Sequence, residues 1–101
     1  MVVVQIYLER TRRVADAPSV SDSLARYLAR SIRAERARLG MSQAELAEKL
    51  GMSKQAVSTL ETGVRKVYAH ELPDICEALG VSLLTLLARA EPEDLRRLGL
   101  Q

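Results

Sequence analysis

Apolar residues recur along this chain at helical spacing, and turn-forming residues interrupt them at intervals. Leu24, Leu28 and Ile32 repeat at i,i+4 and so share one stripe of a helix. Pro18 and Ser19, with Asp22 at capping-box spacing, open that helix, and Leu39-Gly40 closes it after roughly 20 residues. A second helix opens at Ser42, which forms a capping box with Glu45, and stops at Gly51, where the turn needs positive φ. Ser53 can cap a third, so the pattern predicts two helices locked around a three-residue turn. Ala47 falls where they cross and only a methyl group fits, while Val57 and Leu60 at i,i+3 face inward. Further on, Pro73 suits a first helical position, Leu72, Ile75, Cys76 and Leu79 form its apolar series, and Gly80 ends it. Ser82 then caps a helix over Leu83–Ala90, in which Leu83, Leu84, Leu86 and Leu87 wrap too far around for one core-facing stripe. Another element or another subunit should cover some of them. Pro92-Glu93-Asp94 followed by Arg96-Arg97 puts acid before base in a last short helix, as the helix dipole favours.

Residues 1–18 stand apart as an N-terminal extension, ahead of a helical domain over 19–90 and a short helix or tail over 91–101. Val2–Leu8 is apolar and β-branched, which favours a strand, and a lone strand needs a partner for its backbone groups. In a homodimer its own copy would serve, with Val2, Val4, Ile6 and Leu8 in a two-stranded ribbon across the two-fold axis. The rival reading is a helix running on through Arg10, Arg12, Arg13 and Val14; those arginines could also reach phosphate or a minor groove as a basic arm, or form a solvated charge cluster.

The helix after Ser53 leaves Gln55, Ser58, Thr59 and Thr62 on its outer face. Such a helix in a DNA major groove reads base edges with side chains that donate and accept hydrogen bonds, and glutamine can bridge adenine N6 and N7. Lys54, Gln55, Ser58 and Thr59 are therefore the candidate base contacts, with Lys54 able to meet either guanine or a nearby phosphate. The N–H groups opening the preceding helix point toward an anion, which places Gln43 at a phosphate, and Ser53 and Thr62 flank the same surface. The competing reading is a small helical hairpin whose Gln, Ser and Thr are only solvated.

Three stretches together, Arg36-Ala37-Arg38-Leu39-Gly40-Met41-Ser42-Gln43, the Gln43–Gly63 segment, and Glu71 through Ser82, resemble the Cro/cI-type helix-turn-helix family of phage repressors and bacterial regulators. The resemblance runs from about Leu24 to Leu87 and implies an all-α, five-helix, lambda repressor-like DNA-binding domain, usually dimeric. It also implies that an Arg of the first helix, here Arg36, pairs with a Glu ending the recognition helix, here Glu61. Between Gly63 and Leu72 many members carry several basic residues, whereas this chain offers Arg65, Lys66 and a lone His70 for phosphate.

Charge sharpens this picture. The net +2 divides into twelve Lys/Arg against seven Asp/Glu over residues 1–70 and three against six over 71–101, so +5 and −3 lie on different parts of the chain. Phosphate neutralisation drives much of DNA affinity, which assigns binding to the basic part. One Cys and one His are too few for a structural zinc site, so neither metal nor cofactor is expected, and Cys76 reads as a core thiol. There is no apolar run of membrane-spanning length and no signal peptide, which points to the cytoplasm. No catalytic constellation joins His70 or Cys76 to a base and an orienting group, which argues against an enzyme. Two functional classes remain: a repressor binding a pseudo-palindromic operator as a homodimer, with dimer contacts at Val2–Leu8 or at Leu83, Leu84 and Leu87, or an antitoxin-type autoregulator that also grips a toxin partner.

Overall fold

The computed structural model describes residues 20–100, and the readings placed on Val2–Leu8 and on the arginines behind it lie outside them. Among the described residues there are six α-helices and no strand: α1 (Val20–Arg38), α2 (Gln43–Leu50), α3 (Lys54–Thr62), α4 (Leu72–Leu79), α5 (Leu83–Leu86) and α6 (Pro92–Arg97). A short 3₁₀ turn, Ala69–Glu71, leads into α4.

A single connector design recurs three times. Leu39-Gly40-Met41-Ser42, Leu50-Gly51-Met52-Ser53 and Leu79-Gly80-Val81-Ser82 each end one helix and start the next. At Gly51, with φ of 66°, the backbone enters the left-handed region and the helix closes with paired bonds, Gly51 N–H to Glu48 O and Met52 N–H to Ala47 O. The same two bonds close α1 at Gly40 and Met41 and α4 at Gly80 and Val81. Each connector's serine then accepts the N3 amide of the following helix, from Glu45, Ala56 and Thr85 respectively. The apolar residue after each glycine packs against the core, so one tetrapeptide stops a helix, anchors the turn and restarts the chain.

The core is aliphatic. Ile32, Leu46, Val57, Leu60, Ile75, Leu79 and Leu86 are fully buried, and Ala47 of α2 is buried in the same cluster. α2 and α3 pack most extensively on each other, α1 crosses α3, and α4 closes over α2.

The structure corrects the sequence reading of α5. It ends at Leu86 rather than at Ala90. α1 supplies the reason: Ser31 Oγ donates to Leu86 O at 2.7 Å, and Tyr27 Oη accepts the Arg89 N–H at 2.9 Å. A continued helix would have needed both backbone groups for itself, so side chains of α1 outcompete the next turn. With Ser23 Oγ donating to Asp94 Oδ2 at 2.8 Å, residues 23, 27 and 31 form a polar line at i,i+4 that stitches α1 to the C-terminal segment. The turn after α5 also buries Leu87 and Ala90. Leu87 is therefore part of the chain's own core and leaves the set of candidate dimer contacts, while Leu83 and Leu84 stay exposed. Asp94, which the dipole argument placed on a charged first turn, is 4% exposed and held by Ser23.

Candidate nucleic-acid interface

Three elements meet at one carboxylate. Glu61, in the last turn of α3, is 5% exposed, and it accepts Arg36 Nε at 2.5 Å and Arg36 Nη2 at 3.0 Å from the end of α1. Gln43 Nε2, from the start of α2, donates to its Oε1 at 3.0 Å. The remaining Arg36 nitrogen, Nη1, donates to Met41 O at 2.7 Å, so one guanidinium spans α1, the connector and α3. The hydrogen bond to Glu61 raises the Arg36 pKa above its ordinary value, and burial opposes it only in part. A bidentate pair with little solvent around it fixes direction as well as distance, and that sets the angle at which α3 leaves the domain.

α3 projects from this anchor with its first turn outward. Ser53 caps it through Ala56 N–H, and Val57, Leu60 and Glu61 turn to the core. Lys54 and Gln55 are exposed, and among the described residues neither side chain has a hydrogen-bond or ion-pair partner within the chain. Ser58 is half-buried. Thr59 Oγ1 donates to Ala56 O and Thr62 Oγ1 to Thr59 O, so each hydroxyl's hydrogen is committed to its own helix and only acceptor capacity faces outward. Of the four candidate base contacts, then, Lys54 and Gln55 have both reach and uncommitted donors.

The candidate phosphate contacts separate similarly. Gln43 turns its side chain inward to Glu61, so what it offers an anion is mainly the backbone amide at the start of α2. Beside it the capping box is complete: Glu45 Oε1 accepts the Ser42 N–H, a bond that holds the Glu45 carboxyl below the usual range. Arg65 is not a free cation. Its Nη1 and Nη2 donate to Glu71 at 3.1 and 2.6 Å, its guanidinium lies 5.5 Å from the Tyr68 ring centre, and its backbone N–H caps Thr59 O. Glu71 also accepts the Tyr68 N–H, and Arg65 holds its carboxyl below the ordinary value. Tyr68 stacks on His70 with centroids 5.6 Å apart, leaving both rings on the surface beside Lys66, which is exposed.

Sequence reasoning missed Glu71 and Tyr68 as organisers of this loop. The signal was faint, because Glu71 follows Tyr68 at capping-box spacing but without the Ser or Thr that marks the motif. Cys76 is half-buried, and burial pushes its thiol up, away from the reactive thiolate.

Residues 32–86, more than half of the chain, match the model of the helix-turn-helix family. The fold is similar to the crystal structure of the clp gene regulator ClgR from C. glutamicum, with 36% sequence identity, a TM-score of 0.63, and alignment over 66% of this chain and 87% of that one. Two capped helices around a glycine turn, an outward first turn on the second of them, and the match over residues 32–86 lead to one conclusion: the chain belongs to the Cro/cI-type helix-turn-helix family of DNA-binding transcription regulators.

Proposed function

We propose that this chain is a sequence-specific repressor that binds a pseudo-palindromic operator as a homodimer and reads each half-site with the first turn of α3. The observation that carries the reading is the contrast along α3: Thr59, Thr62 and Glu61 spend their polar hydrogens or lone pairs inside the chain, whereas Lys54 and Gln55 hold theirs out. In a major groove, Gln55 would bridge the edge of an adenine, and Lys54 would meet guanine or the adjoining phosphate. The α2 amides and Lys66 would grip the backbone on either side and set the register. Arg65 would act through the shape of its loop, since drawing it to a phosphate strands Glu71.

Dimerisation is proposed through Leu83 and Leu84, with residues 1–18 as a second contribution and residues 19–90 as the DNA-binding unit. Leu84 is 65% exposed beside a core that has already taken Leu86 and Leu87, so an apolar surface remains at the start of α5. The similar C. glutamicum protein is named a gene regulator, which supports a regulatory role for this chain as well.

Selection from a randomised duplex library with the full chain tests the proposal. The expected product is an inverted repeat whose half-site centres lie about one helical turn, roughly 34 Å, apart. Recovery of unrelated sequences, bound no more tightly than the starting library, would contradict it.

A further inference from the structure

A second polar surface lies away from the α3 face, where the first half of α1 meets the segment joining α5 to α6. Ser23, Arg26, Tyr27, Arg30, Arg89 and Glu91 line a cleft of about 270 Å³ there. Arg26 and Arg30 stand one turn apart on α1, an arrangement in which like charges repel, and Arg89 adds a third guanidinium from the other wall. Among residues 23–100 no carboxylate closes an ion pair with any of the three. Among the described side chains Glu91 is the one acidic group in the lining, so these residues give the cleft an excess of positive charge.

Its hydrogen-bonding inventory is equally one-sided. Tyr27 Oη already accepts the Arg89 N–H, which leaves its own hydrogen to donate. Ser23 has given its hydrogen to Asp94. The lining thus offers guanidinium and phenol donors and little to accept them, and guanidinium forks match the oxygens of phosphate groups. A concave site of this volume suits a compact anion better than a duplex, whose backbone needs a long open surface. Along α1, Tyr27 also precedes Arg36 by about 14 Å at 1.5 Å per residue, which sets the cleft apart from the Arg36–Glu61 anchor.

We propose that this cleft binds a small, multiply charged phosphorylated molecule, with Arg26, Arg30 and Arg89 gripping its phosphate oxygens and Tyr27 donating from the floor. Bound there, the ligand ties α1 to the segment that carries α5, the helix bearing Leu83 and Leu84, and so gives a chain of this size an effector site beside its proposed dimer surface.

Calorimetric titration of the full chain with inorganic pyrophosphate at constant ionic strength tests the site, using Arg30→Gln and Arg89→Gln from its two walls and Arg33→Gln, an exposed α1 arginine outside the lining, as control. The expected result is saturable one-to-one binding that either cleft variant weakens tenfold or more and Arg33→Gln leaves within twofold. Helical circular dichroism matching that of the unsubstituted chain shows that each variant is folded, and the two walls provide independent variants. A parallel titration with random-sequence duplex separates a free phosphate ligand from the DNA backbone: its salt dependence should be the same with and without Arg30→Gln. Absence of saturable binding, an equal loss in Arg33→Gln, or a fall of about one unit in the duplex salt slope for Arg30→Gln would each overturn the proposal.

Discussion

Glu61 concentrates more of the domain's geometry than any other side chain, because α1, α2 and α3 all reach it. Removing Arg36 strands a carboxylate that is almost wholly buried, and leaving one partner of such a pair alone costs roughly 3–5 kcal/mol. Arg38, by contrast, pairs with Glu35 in the open, where an ion pair contributes about 1 kcal/mol or less. Arg36→Met should therefore lower the melting temperature far more than Arg38→Met, and equal melting of the two would remove Glu61 from its organising place. A second residue-scale expectation concerns Glu71, whose carboxyl is held low by Arg65. A depressed folded pKa gives stability that is present above the unfolded glutamate value, about 4.3, and lost as pH falls through the folded one. Thermal melts of the unsubstituted chain and Glu71→Gln should therefore differ at neutral pH and converge on acidification below that value. A gap that persists undiminished in acid would show that packing, not the charge, holds the loop.

At the scale of elements, the Leu-Gly-apolar-Ser connectors carry the local instructions. A Cβ built at Gly51 meets nothing within 4 Å, so substitution there costs only what the left-handed backbone imposes, about 1–2 kcal/mol. Gly51→Ala should lower stability by that amount in urea unfolding, and a neutral result would mean that the turn relaxes to negative φ. These connectors are why so much was legible in the sequence: α1 through α4 follow from caps and glycines that lie next to one another along the chain. Reading them one at a time, however, hid the repeat. What was not legible depends on partners far away in sequence. The end of α5 is set by Ser31 and Tyr27, more than fifty residues upstream, and the burial of Leu87 follows from it. The same holds at the candidate site. Local spacing picked out Lys54 and Gln55, and the family resemblance supplied Arg36 with Glu61, but the diversion of Arg65 to Glu71 and of Gln43 to Glu61 came from side-chain geometry that no periodicity encodes.

For the whole molecule, charge and association become testable together. Lys66 is proposed as a phosphate contact, so Lys66→Ala should weaken binding to all duplexes alike and reduce the salt slope by roughly one unit. Arg65→Ala should instead alter the loop. Leu84→Glu places a charge on the proposed dimer surface and should shift sedimentation toward the monomer at equal concentration, with the helical signal retained; an unshifted dimer would move the contact to Val2–Leu8. The most direct measurement of the central claim is fluorescence anisotropy of the Gln55→Ala chain, at one salt concentration, on the duplex that the unsubstituted chain selects and on a scrambled duplex of the same composition. The expected result is a loss of about 1–3 kcal/mol on the selected site and a much smaller one on the scrambled duplex. Equal losses on both would contradict base readout by the first turn of α3.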